Sequence, residues 1–148
     1  MTVGIIGRQA NALADVSSKI KDSVPDACVE AVVADATQRD DIHAAIASIE
    51  NKYGATEVLI YNVSARPFPP REVGDTPPEF FMDMFNTNVM GALHCTQAVL
   101  PKMKEKKCGT IIFTGASASW RGTAKFGAFA AAKMGLRGMA QSLAKEMN

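Results

Sequence analysis

Several protein classes require features that this 148-residue chain has little of. Its three cysteines, Cys28, Cys95 and Cys108, are odd in number and widely spaced, and none forms a Cys-x-x-Cys pair. Two histidines complete no metal-ligating set with them, so no metal site is expected. A reduced, intracellular setting fits such cysteine usage best. No apolar run reaches the length of a membrane span. The opening TVGIIGR is too short and too soon interrupted for a signal peptide, so the expected location is cytoplasmic, with no membrane partner. Asn62-Val63-Ser64 fits a glycosylation sequon, which without an export signal reads as accidental. A formal net charge of +1 leaves no nucleic-acid footprint. The lysines at 102, 104, 106 and 107 are interrupted by Glu105 and close a helical stretch, where cations complement the helix dipole.

What is present alternates between two periods. Residues 2–6 form a short, nearly all-apolar run, as a strand buried on both faces would. Leu13, Val16 and Ile20 then recur at helical spacing within residues 10–20. Residues 28–34 are a second β-branched run, ending at Asp35. Thr37 reads as the cap of a helix that carries Ile42, Ala45, Ile46 and Ile49 and stops near Gly54. Residues 57–61 make a third strand, and 66–74 a proline-rich loop. Thr76-Pro77-Pro78-Glu79 has the pattern of a helix start, with Thr76 as cap. The helix that follows carries the stripe Phe81, Met84, Phe85, Asn88, Ala92, Cys95 and Val99 to about Lys106, with Pro101 expected to bend or break its last turns. Residues 110–114 form a fourth strand and about 123–147 a last helix. No internal repeat appears. The alternation predicts one α/β domain over residues 1–148, a parallel sheet with helices on both faces.

The stretch from Gly109 to Lys133, GTIIFTGASASWRGTAKFGAFAAAK, is the most informative. A buried strand leads through a Gly/Ser-rich turn to a helix that returns Lys133 toward the strand end. Open α/β sheets build their sites in this way, outside the carboxyl ends of their strands. Lys133 lies one helical turn after Phe129. Together with Asn88 on the preceding helix, this layout resembles the short-chain dehydrogenase/reductase family.

The resemblance covers nearly the whole chain and implies a partial Rossmann-like fold and hydride-transfer chemistry with NADP, NAD being the alternative. It places Arg8 where relatives often hold the 2′-phosphate of NADP, a fork of N–H donors suiting phosphate oxygens. Asp35 falls where relatives receive the adenine amino group. Asn62 is the retained second residue of the family's Asn-Asn-Ala-Gly turn and approaches the cofactor ribose. Asn88 matches the catalytic asparagine, whose main chain holds a water in relatives. Lys133 matches the lysine that bonds the nicotinamide ribose and lowers the pKa of a catalytic tyrosine. That tyrosine is Phe129 here. The carbonyl-polarising serine falls on Ala116 or, with a one-residue shift, on Ser117. A carbonyl or alcohol substrate would arrive beside Ser117 and Phe129, flanked by residues 66–71 and Trp120.

Relatives begin with a strand and a glycine-rich phosphate turn, whereas this sequence begins at what would be their second strand. The resemblance therefore implies a truncated or degenerate form of the fold, with the first βα unit and the C-terminal strands missing. Removing a central strand leaves a gap of about 9–10 Å, which the flanking strands must close, leave open or fill with another segment. Ala128, Ala131, Ala132, Gly135, Gly138 and Ser142 recur at three- and four-residue spacing on the last helix. In relatives this helix and the long preceding one form a dimer interface, so a homo-oligomer is expected. Two functions stay open: an NADP-linked carbonyl/alcohol oxidoreductase impaired by Phe129, and a pseudoenzyme or dimerising interaction module.

Overall fold

Strand β1, Thr2–Gly7, pairs in parallel with β2, Cys28–Val33, in the register Thr2 opposite Cys28 through Gly7 opposite Val33. The intervening helix α1, Ala10–Ser23, packs on both strands while keeping much of its own surface exposed. Helix α2, Arg39–Tyr53, buries Ile42, Ala45 and Ile46, three of the four residues on its apolar stripe. It stops at Gly54, whose φ of +91° is a conformation that glycine adopts without a Cβ penalty. The computed structural model describes residues 2–64 and 69–147. These fall into two compact units. The first holds residues 2–57 and 94–109; the second holds 58–64, 69–93 and 110–147.

In the second unit, β3, Val58–Tyr61, pairs in parallel with β4, Thr110–Phe113, with Tyr61 opposite Phe113. The pairing runs one bond further, the Thr114 N–H donating to the Tyr61 carbonyl at 3.0 Å. Among the described residues neither β1 nor β3 has a second ladder partner, so each sheet is two-stranded. Four parallel strands with intervening helices match the expected fold class, a partial Rossmann-like α/β arrangement.

The helix read as continuous from Thr76 to Lys106 comes in three parts. Helix α3, Pro78–Phe85, passes into a single π turn, Asn86–Met90, and then into α4, Gly91–Lys106. The Gly91 N–H reaches back five residues to the Asn86 carbonyl. Helix α4 runs through Pro101 without breaking, and Pro101 and Gln97 both lie on its exposed face. The carbonyl that Pro101 leaves without its usual donor can therefore bond water. The last helix, α5, is Gly127–Met147, starting four residues later than the sequence suggested.

Two caps are corrected. Thr37 does not cap α2, which starts after Gln38. Its hydroxyl donates instead to the Asp35 carboxylate at 2.8 Å, and its N–H to the same oxygen at 2.9 Å. Thr76 does not cap α3, whose N-cap is Pro77; its hydroxyl donates to the Glu72 carbonyl at 2.8 Å. Short polar side chains often bond nearby backbone in this way, at the expense of the expected role.

Candidate functional site

In the second unit α5 places Lys133 against the end of β4. The Lys133 Nζ donates to the Thr114 carbonyl at 2.9 Å, and the residue is only 3% exposed. Burial pushes its pKa down from the ordinary lysine value. The Nζ also stands 5.8 Å from the centre of the Phe129 ring, one turn earlier on the same helix. Phe129 packs against the core formed by Met84, Ala128 and Ala132. Phe129 also lines a small cleft, to which Arg71, Thr76, Phe80 and Phe126 contribute.

Asn88 sits in the π turn and is fully buried. Its Nδ2 donates to the Met84 carbonyl at 2.9 Å, an acceptor that the backbone N–H of residue 88 would take in an α-helix. Its Oδ1 is buried with no hydrogen-bond partner among the described residues. The Tyr61 hydroxyl donates to the Thr87 carbonyl in the same turn, tying β3 to it. Asn62, directly after β3, is exposed.

Ser117 opens a short 3-10 turn, Ser117–Ser119, and is exposed. This turn is held by residues that sequence reasoning passed over. The Ala116 N–H donates to the buried Ser119 Oγ at 3.1 Å. Arg137, one turn beyond Lys133, stacks on the Trp120 ring and makes a long 3.5 Å bond to the Ser119 carbonyl. The signals for them were the Ala116-x-x-Ser119 spacing and the four-residue step from Lys133 to Arg137. Of the loop expected beside the substrate, Arg66 lies outside the described residues, while Arg71 lines the cleft and lies 5.4 Å from the Phe80 ring centre.

In the first unit Arg8 follows β1 and Asp35 follows β2, both at carboxyl ends of parallel strands. Their closest approach is 3.9 Å, and the Arg8 side chain is 69% exposed, so the guanidinium is only loosely held. Burial acts to raise the Asp35 pKa, but the Thr37 N–H and hydroxyl, with Arg8, outweigh it and hold the carboxyl below its ordinary value. Burial pushes the Cys95 thiol up to about 11, which leaves it protonated and a poor nucleophile. Among the described residues no His/Cys/Asp/Glu group could hold a metal ion, and no helix is long and apolar enough to cross a membrane.

A profile of the family described as short chain dehydrogenase matches residues 1–148. The chain belongs to the short-chain dehydrogenase family. It is 34% identical over 119 residues to the 3-oxoacyl-(acyl-carrier-protein) reductase MabA of Mycobacterium avium, covering 79% of this chain and 45% of that one. A solved short-chain dehydrogenase from Streptomyces avermitilis is 28% identical, with a TM-score of 0.87 over 98% of this chain and 51% of its own. The actinorhodin polyketide ketoreductase solved with NADPH shares the fold, at a TM-score of 0.91 and 22% identity over 98% of this chain and 55% of its own. The chain thus spans about half the length of the relatives it matches. Short-chain dehydrogenases are oxidoreductases that use NAD or NADP and act on small molecules.

Proposed function

We propose that this chain belongs to an NADP-linked oxidoreductase acting on a carbonyl or alcohol, whose chemistry Phe129 impairs. The observation that carries the reading is Lys133: an ammonium group 3% exposed, held by one backbone carbonyl at the end of a parallel strand. Burying a charge that is not paired is costly, and such groups concentrate at functional sites. Its neighbourhood suits a nicotinamide dinucleotide, because the Lys133 Nζ can donate to a ribose hydroxyl and the Asn88 Oδ1 is an acceptor awaiting a donor. Asn62 would approach the same ribose. In the first unit the loosely paired Arg8 would meet a 2′-phosphate, and Asp35 the adenine amino group. The cofactor would supply the hydride. Ser117 would orient the substrate carbonyl, and the main chain at Asn88 would hold a water. Phe129 has no proton to give in the place where relatives have a phenol. A cytoplasmic homo-oligomer built through the two long helices accompanies this reading. Ala128 and Ala132 are taken by the protein's own core, and Gly135 by Phe85, where a Cβ would lie 3.2 Å from the ring. Gly138 and Ser142 stay exposed for a partner.

The test is fluorescence titration with NADPH and NADH, then NADPH oxidation against a panel of carbonyl compounds. The parent should bind NADPH more tightly than NADH and reduce carbonyls slowly. Phe129→Tyr should raise the rate at least about tenfold, since a placed acid typically contributes 10²–10⁴-fold. Binding of neither cofactor sinks the reading. Cofactor binding with no turnover by either variant would favour a pseudoenzyme or interaction module, the function that the missing phenol supports.

A further inference from the structure

The turn that carries Asp35 is held from two sides, and one of the holders is a histidine of α4. Beyond Val33 the β1–β2 ladder runs one bond further, the Ala34 N–H donating to the Gly7 carbonyl at 3.0 Å. The chain then makes a four-residue turn, closed by the Gln38 N–H on the Asp35 carbonyl at 2.9 Å. The peptide between Ala36 and Thr37 lies in the middle of that turn. Its N–H donates to the Asp35 Oδ1 at 2.9 Å. Its carbonyl, that of Ala36, is 3.2 Å from the His94 Nδ1. A carbonyl only accepts, so Nδ1 carries the hydrogen in this contact. His94 is 8% exposed and lies 58 residues further along the chain, in the same compact unit. One peptide plane is thus held at both ends, and turning it over would break both bonds. With Oδ1 taken by Thr37, the Asp35 Oδ2 is left to the Arg8 guanidinium 3.9 Å away, and the Asp35 side chain is 33% exposed.

We propose that His94 is a positioning residue for the adenine end of a nicotinamide dinucleotide, acting through the Ala36–Thr37 peptide on Asp35. This rests on the oxidoreductase reading above, in which Asp35 receives the adenine amino group. An amino group donates, so it needs a carboxylate oxygen with a lone pair to spare. The last torsion of an aspartate is broad, so the side chain's own rotamer preference does not decide which oxygen that is. The peptide decides it. By holding the Ala36 carbonyl, His94 keeps the Thr37 N–H aimed at Oδ1, which fixes the carboxylate's rotation and leaves Oδ2 to accept. Without the imidazole donor, the peptide is held at one end only, and the carboxylate is free to turn with it.

Two readouts on the full chain test it. The first needs no cofactor: hydrogen exchange of the Thr37 amide, followed by NMR. His94→Leu, similar in bulk but without a donor, should speed that exchange about threefold or more. The second is fluorescence titration with NADPH in a double-variant cycle. His94→Leu should weaken binding about 3- to 10-fold, the range of one neutral hydrogen bond. In an Asp35→Ala background it should weaken binding less than about twofold further, because the two residues act through one path. His94→Asn carries an Nδ2 two bonds from its Cβ, as the imidazole Nδ1 is, and should recover most of both losses. Should circular dichroism show that His94→Leu does not fold, His94→Phe, a ring without a donor, takes its place. Unchanged Thr37 exchange overturns the proposal. So do equal losses in the parent and Asp35→Ala backgrounds, and so does the absence of any recovery in His94→Asn. Full NADPH affinity in His94→Leu overturns it while leaving the dinucleotide reading intact. A parent that binds neither cofactor overturns both.

Discussion

The guanidinium carbon of Arg137 lies 3.4 Å from the centre of the Trp120 ring, and Trp120 is 72% exposed. The pair closes the turn that carries Ser117, because Arg137 also reaches the Ser119 carbonyl. Trp120 is the only tryptophan in the chain, so its emission reports this contact directly. Arg137→Ala should shift and change the intensity of that emission while costing only about 0.5–1 kcal/mol of stability, as exposed cation–π contacts do. An unchanged spectrum would mean that the stack does not persist in solution.

A different pairing holds the first unit. The Lys102 Nζ on α4 bonds the Glu50 carboxylate on α2 at 2.7 Å, and the Glu50 side chain is only 3% exposed. The Thr56 N–H donates to the other oxygen at 2.9 Å. Burial acts to raise the Glu50 pKa, but Lys102 and Thr56 outweigh it and hold it below 4.5. Its contribution is therefore present above the ordinary carboxylate range and is lost as pH falls through the lowered folded value. Lys102→Met leaves a buried carboxylate with one partner. It should cost close to the low end of the roughly 3–5 kcal/mol typical of broken buried pairs, Lys102 itself being half exposed. Urea unfolding at pH 3 to 8 should show the gap between parent and variant shrinking as pH falls below the ordinary carboxylate range, because the parent loses the Glu50 contribution there.

Lys133 carries the opposite sign. Its folded pKa is lowered from 10.5 by burial. Between the folded and unfolded values the unfolded chain binds the extra proton, so stability rises with pH there and the penalty is full below it. Lys133→Met, similar in shape and uncharged, should melt at a higher temperature than the parent at pH 7. The difference should shrink as pH approaches 10.5. A variant less stable than the parent at pH 7 would show that the bond to Thr114 outweighs the cost of burial.

Arg8 is the cleanest probe of cofactor choice, because its side chain is exposed and its removal disturbs no packing. One charge-assisted contact is worth about 1.5–3 kcal/mol, so Arg8→Ala should reduce an NADPH-over-NADH preference by about 10- to 100-fold. Titrating parent and variant with both cofactors decides it. Equal affinity for both in the parent would remove Arg8 from the site.

The strands were legible because each is a short apolar run bounded by turn residues, and all four appear within a residue or so of where the pattern puts them. Among the described residues β1 pairs with β2 and β3 with β4. Helix starts were less legible. Thr37 and Thr76 each had a choice of hydrogen-bond partners, and sequence spacing does not say that Asp35 and the Glu72 carbonyl win. The π turn left no mark on the apolar stripe, because Asn88 stays on it and faces inward. Lys133 was found by its spacing from Phe129. Arg137 was missed because its bond joins the 3-10 turn to a helix 18 residues further on, beyond the reach of local pattern, whereas the Ser119 bond to the Ala116 N–H is local and its three-residue spacing was passed over.

The π turn at Asn86–Met90 also bears on how this chain can tolerate insertion and deletion. A π turn is an α-helix holding one residue too many. Deleting one residue within it can restore unbroken α-helical bonding between α3 and α4 instead of tearing the helix, so such a deletion should fold. It would also rotate everything on one side by roughly 100° relative to the other. Met84 could then no longer stay buried while Ala92, on the far side, kept its buried place. The extra residue sets the rotational phase at which the helix resumes after Asn86–Met90.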